Sequence, residues 1–226
     1  MLTQTQISSA SFKQPTSRNL PPAGDHALGT IELMGTPMSF SRNAEIYGEN
    51  EPADYLYKVI SGTVRTYKIL ADGRRQIGAF HMPGDIFGLE AGDSHTFSAE
   101  AIADSKVLVI KRSALVALAA RDNDVARQLW TLTGRELHRV QDHMMLLIKT
   151  AQERVASFLL EMADRASASA AVDLPMSRQD IADYLGLTIE TISRTLTQLE
   201  SDAAIELPTS RRIVLRNRPA LNRLNA

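Results

Sequence analysis

The chain has no cysteine. That excludes disulfides, cysteine-ligated zinc and cysteine-held iron–sulfur clusters, and it suits a reducing compartment. It has no apolar run long enough to span a bilayer. The start, Met1-Leu2-Thr3-Gln4-Thr5-Gln6, lacks the basic-then-apolar order of a secretory signal. A soluble cytoplasmic protein with no membrane partner is expected. An excess of charge is also missing. The net charge is −1 over 226 residues, so bulk electrostatics gives no hint of nucleic acid. Neither paired carboxylates nor a Ser/His/Asp set stands out by spacing, so no catalytic residue is assigned and no enzyme is expected. His81 and His95 fall in one region, and His138 and His143 face different sides of one helix. There is no His-x-His pair, so these read as satisfied or exposed histidines, with no metal and no cofactor.

What is present is enough chain for two small domains, with 44% hydrophobic residues. Residues 1–25 are rich in Ser, Thr, Gln and Pro and read as a mobile arm. Residues 26–112 carry short strands punctuated by glycine. Tyr55, Tyr57 and Val59 alternate with Leu56, Lys58 and Ile60, and Ala71-Asp72-Gly73-Arg74 is a hairpin turn. Val107 to Ile110 form a last buried strand, and Asp85 after Pro83-Gly84 reads as a turn residue. This rhythm predicts a small antiparallel β-roll or barrel.

Residues 113–148 change period and predict a long helix. Trp130, Thr133, Leu137, Val140, Met144 and Leu147 are spaced 3, 4, 3, 4, 3, one narrow apolar seam on an otherwise polar helix. Such a seam wants a partner helix, so a homodimer interface is expected, against the alternative that it packs on its own barrel. Residues 149–226 form a second domain. Ala156, Leu159, Leu160 and Ala163 give an amphipathic helix, and the run 165–171 reads as an exposed connection. Ile205 to Leu207 and Ile213 to Leu215 read as two strands around a wing-like turn, 209–212.

Between them lies a helix-turn-helix, residues 177–200. Ser177 with Asp180 makes a capping pair that opens the first helix, and Ile181 and Leu185 are its buried side. Ala182 is small where two helices approach, Gly186 ends the helix, and Leu187 plugs the corner. Thr188 caps the second helix, whose core face is Ile192, Leu196 and Leu199. Such a motif sets the N-terminal part of its second helix in the major groove. The exposed residues there are Ile189, Glu190, Ser193 and Arg194. Arg can donate twice to guanine, Glu can accept from cytosine, and Ser can touch either kind of base edge. A plain Glu190–Arg194 surface pair is the competing reading. Ser177, Arg178, Thr188 and Thr191 at helix starts, with Arg211 and Arg212 in the wing, are candidate DNA-backbone contacts. Arg194, Arg211, Arg212, Arg216, Arg218 and Arg223 concentrate positive charge near this helix.

Three stretches carry a family resemblance: Gly-Leu-Thr-Ile-Glu-Thr-Ile-Ser-Arg (186–194), Pro-Gly-Asp-Ile-Phe-Gly (83–88), and the helix leading into Gln152-Glu153-Arg154-Val155-Ala156. Together they resemble the CRP/FNR transcription factors, most of all the FixK branch of nitrogen-fixation regulators. The resemblance spans about residues 30–220. It implies an α+β chain: an N-terminal cyclic-nucleotide-binding-like β-roll, a long dimerisation helix and a C-terminal winged helix-turn-helix. It implies that Glu190, Ser193 and Arg194 read a TTGAT half-site in a palindrome such as TTGAT-N4-ATCAA. It also implies an activator that contacts RNA polymerase, with 165–174 and 71–75 as candidate contact loops. The chain departs from the family's ligand-binding members. Phe97 stands where a phosphate-binding arginine is expected, beside Glu90 and Asp93, so neither cyclic nucleotide nor iron–sulfur cofactor is expected. Two rivals remain: a ligand-gated member of the same family, using haem or a small effector, and a cupin-like metalloenzyme fused to a helical domain.

Overall fold

The structure is a computed structural model that describes residues 32–166 and 171–224. The expected arm, 1–25, lies outside the described residues. The N-terminal part is a β-roll of two four-stranded sheets. One has the order β1 (Thr36–Phe40), β8 (Ser105–Lys111), β3 (Tyr55–Ser61), β6 (Ile86–Phe87). The other runs β2 (Glu45–Tyr47), β7 (Ser98–Ala101), β4 (Val64–Ile69), β5 (Arg75–His81). The pairings are antiparallel. The two inner faces meet in one cluster, with Tyr57, Val59, Phe87 and Val107 from the first sheet and Tyr47, Val64 and Ala99 from the second. The β4–β5 turn forms as its Asp-Gly predicts. Gly73 takes φ +84°, and the Asp72 carboxylate accepts from the Arg74 backbone N–H.

The region 113–148 is not one helix. It divides into α1 (Arg112–Ala119) and α2 (Asn123–Leu146). Asp122 breaks the run because its carboxylate accepts from the backbone N–H groups of Asp124 and Val125, which fixes an extended residue between the helices. α3 (Ala151–Arg165) follows, opened by a capping box of Thr150 and Glu153. No helix among the described residues is long and apolar enough to cross a membrane.

The winged domain holds α4 (Arg178–Leu185), α5 (Ile189–Ser201), β10 (Ile205–Glu206), β11 (Arg212–Leu215) and α6 (Arg218–Leu224). It also holds a third strand that the sequence did not reveal. β9 (Ala171–Asp173) pairs antiparallel with β11 and buries Val172. The stretch expected to be an exposed connection is therefore largely structured at both ends. Arg165 is the last residue of α3, and its guanidinium binds Asp85 and the Phe80 carbonyl. Asp85 does more than make a turn: besides Arg165, it accepts from the Met82 N–H.

The two domains share a core. Ile77 and Phe80 of β5 join the same apolar cluster as α3, α4 and α5. The Phe80 ring lies 5.2 Å from that of Tyr184 in α4 and 6.3 Å from that of Phe158 in α3. Each such fully buried ring contributes about 1.5–3 kcal/mol. Around it run polar ties. Asp180 accepts from Arg65 at 2.5 Å and from Arg75 at 2.7 Å, and Asp183 accepts from Arg75 at 2.7 Å. The turn 71–75 is thus not wholly a free loop, because Arg75 is anchored to α4.

Candidate DNA interface

The interface is built by local rules. Ser177 caps α4, and its hydroxyl and the Asp180 carboxylate form a reciprocal capping box. Burial opposes the charged Asp180 side chain, yet the Ser177 hydrogen bonds and the Arg65 and Arg75 charges hold it below the usual carboxylate range. Gly186 ends α4 in the left-handed conformation, φ 62° and ψ 41°, which a side chain would strain. Thr188 then caps α5 by accepting from the Thr191 N–H. Ile192, Leu196 and Leu199 are buried, so the opposite face of α5 points outward.

That outward face carries the residues singled out in the sequence. Ile189, Glu190 and Arg194 are exposed, and Ser193 is half-buried. Its own backbone N–H and the Thr188 hydroxyl hold the Glu190 carboxyl below its usual range, with the Arg194 charge a smaller contributor. Among the described residues Arg194 has no hydrogen-bond or ion-pair partner, so the competing Glu190–Arg194 ion pair does not form. Arg178, placed with the backbone contacts by sequence, reaches Ser193 instead and donates to its hydroxyl at 3.3 Å. This contact joins residues fifteen apart on two helices.

The other backbone candidates flank this face. Ser177, Thr188 and Thr191 sit at the helix starts as expected. Arg211 donates to the Pro175 carbonyl at 3.0 Å, and Arg212 stands 3.8 Å from Asp173. The concentrated positive charge is partly neutralised within the chain. Arg216 pairs with Glu206, and Arg218 with Asp164.

The apolar seam of α2 lies uncovered in the single chain. Trp130 is 81% exposed, Met144 60%, Leu137 58% and Val140 55%. Thr133 is exposed too, whereas Leu147 lies one residue beyond the helix and is half-buried.

Between the roll and α2 lies a cavity of about 520 Å³, lined by Tyr47, Phe87, Phe97, Val140 and Met144 among others. A cyclic nucleotide bound there would need cationic donors for its phosphate. Among the described residues the lining holds no arginine or lysine, while it does hold the carboxylates of Glu90 and Glu136. Glu90 already accepts from the Thr96 backbone N–H at 3.1 Å and from its hydroxyl at 3.2 Å. Phe97 packs on β5 so closely that a Cβ on Gly78 would meet its ring at 3.0 Å. The residues present do not fit a cyclic nucleotide.

The histidines are mixed. Burial, and then the charges of Arg139 and Arg165, push the His81 imidazole well below its usual range. His95 departs from the expectation of satisfied or exposed histidines. It is buried and stacked on Tyr47 with ring centroids 3.6 Å apart; its Nδ1 lies 3.6 Å from a Glu90 carboxylate oxygen, and neither ring nitrogen makes a shorter hydrogen bond among the described residues. No group of three or more potential metal-ligating side chains is found among the described residues.

Comparison with known proteins agrees with this architecture. Residues 37–122 match the cyclic nucleotide-binding domain family, and residues 153–224 match the Crp-like helix-turn-helix domain family. The nitrogen fixation regulation protein FixK of Azorhizobium caulinodans is 52% identical over 202 residues, 87% of this chain and 82% of that protein. FixK of Rhizobium meliloti is 38% identical over 200 residues, 87% of this chain and 92% of that protein. The structure of FixK2 from Bradyrhizobium japonicum superposes with a TM-score of 0.82 at 55% identity, covering 85% of this chain and 98% of that one. These relatives are transcription regulators rather than enzymes. The chain belongs to the CRP/FNR family of DNA-binding transcription regulators, and within it to the FixK-type activators.

Proposed function

We propose that the protein acts in the cytoplasm as a homodimer that reads a TTGAT-N4-ATCAA-type palindrome, without cyclic nucleotide or any other cofactor, and activates transcription through RNA polymerase. The observation that carries the reading is the outward face of α5, where an ionised Glu190 and an Arg194 without a partner among the described residues stand one helical turn apart beside Ser193. A TTGAT half-site has a single G·C pair. Arg194 donates to its guanine, Glu190 accepts from the amino group of its cytosine, and Ser193 supports a neighbouring adenine or thymine. Ile189, exposed at the start of the same helix, suits a thymine methyl. Ser177, Arg178, Thr188, Thr191, Arg211 and Arg212 add backbone contacts, Arg178 also holding Ser193.

The α2 seam supports the dimer. Trp130, Thr133, Leu137, Val140, Met144 and Leu147 pair with the same residues of a second copy, which places two recognition helices about 34 Å apart, one DNA turn. The β4–β5 turn, where Asp72 and Arg74 remain exposed, is the polymerase-facing candidate. Glu90, bonded to Thr96 in a cavity that no arginine or lysine lines among the described residues, supports ligand independence. Selection from random DNA by the purified protein with no added ligand tests all of this. It should return the TTGAT palindrome with a four-base spacer. Recovery of a different half-site, or binding only when a ligand is added, would refute the reading.

A further inference from the structure

His143 lies near the end of α2, where the roll, the long helix and the winged domain meet. Its Nδ1 is 3.2 Å from the carbonyl oxygen of Gly78 in β5, and its Nε2 is 2.9 Å from the carbonyl oxygen of Tyr184 in α4. Carbonyl oxygens only accept hydrogen bonds. A neutral imidazole has one N–H and can serve one of them, whereas the imidazolium donates to both. We propose that His143 is a positioning residue whose doubly protonated ring clamps the winged domain to the roll and so couples DNA binding to pH. The inference rests on the DNA-reading role proposed above.

The surroundings supply acceptors and an aromatic face. The Tyr184 carbonyl belongs to the last turn of α4, where carbonyls lack helical partners and carry the negative end of the helix dipole. Arg154 serves the next carbonyl, Leu185, in the same way at 2.8 Å. The Tyr184 ring lies 4.1 Å from the imidazole, and an aromatic face attracts a cation. From α3, Glu161 and Arg165 face this region. Burial raises the Glu161 carboxyl, while Arg165, Arg139 and His143 act to keep it charged. On α2 itself, Arg139 pairs with Glu136, while Arg165 of α3 pairs with Asp85 of the roll. From α4, Asp180 and Asp183 are engaged by Arg65 and Arg75. On β5 the nearby titratable group is His81, which burial keeps neutral. The neutral ring has one N–H fewer than the imidazolium, so with it one carbonyl between the domains lacks its donor.

The test is DNA affinity of the full chain on a TTGAT palindrome duplex, by fluorescence anisotropy from about pH 6 to about pH 8 at fixed ionic strength. Wild-type affinity should fall about three- to tenfold across that range, the effect of one hydrogen bond. The His143→Gln variant, whose amide does not titrate, should give a flat profile. A flat wild-type profile, or equal slopes in both proteins, overturns the proposal. Failure of the wild type to bind at any pH counts instead against the DNA reading, and histidine-selective ¹⁵N spectra then decide. Two protonated ring nitrogens on His143 at the acid end support the clamp, and a single neutral tautomer throughout the range refutes it.

Discussion

The roll and the recognition helix use their charged groups in opposite ways. Inside and around the roll, charges are answered within the chain: Glu90 by Thr96, Arg65 by Glu100 and Asp180, and Asp85 by Arg165. On the outer face of α5, Arg194 has no such partner among the described residues, and Glu190 is kept ionised by its own helix start. Burying an unanswered charge is costly, so buried charges are satisfied internally. A surface that will meet a nucleic acid leaves them available. The two regions share a chain and a family but differ in what they await.

Four measurements sharpen or break this contrast. The largest effect is expected at the α2 seam, through which the proposed dimer would bring two α5 faces together. Val140→Glu should give a monomer by analytical ultracentrifugation and lower affinity for the palindrome about 10²–10⁴-fold, the loss of a linked second contact. A dimer that survives this change would place the interface elsewhere. Next comes Arg194→Ala. About 1–3 kcal/mol of affinity should vanish, with discrimination lost at one G·C pair per half-site. Wild-type affinity on the same duplex would remove α5 from the reader's role.

The third concerns acid. Asp180 is held below the usual carboxylate range in the folded protein, so its stabilising effect is complete above its unfolded value near 4 and is lost as pH falls through the lower folded value. Urea midpoints should therefore drop below about pH 4, and Asp180→Asn should flatten that drop while lowering stability at neutral pH. An unchanged acid limb in the variant would show that the Arg65–Asp180–Arg75 cluster has no such role. The smallest effect is an expected zero. Millimolar cyclic nucleotide should change neither the melting midpoint nor DNA affinity of the wild type. A clear upward shift in either would mean that Glu90 and Phe97 yield to a ligand.

The recognition helix was legible in the sequence because everything it needs is local. Capping residues, Gly186 and the outward positions lie within one short stretch, and helical periodicity alone sorts core from surface. The α2 seam was legible for the same reason. What stayed hidden joins distant residues. Nothing in the sequence ties Arg178 to Ser193, Arg65 to Asp180 across 115 positions, or His143 to two carbonyls. The break at Asp122 was missed because apolar spacing resumes after it. β9 was missed because three residues are too few to show alternation after an Ala/Ser run.

The apolar cluster shared by β5, α3 and α4 has a consequence for how the protein melts. Phe80 belongs to the roll by sequence, yet it packs on Tyr184 and Phe158 of the helical half. The boundary expected near residue 149 should therefore be one of chain organisation, not of cooperativity. Heating should yield one calorimetric transition for both halves, and a winged fragment cut free of the roll would bare the aromatic surface of Tyr184 and Phe158 and self-associate.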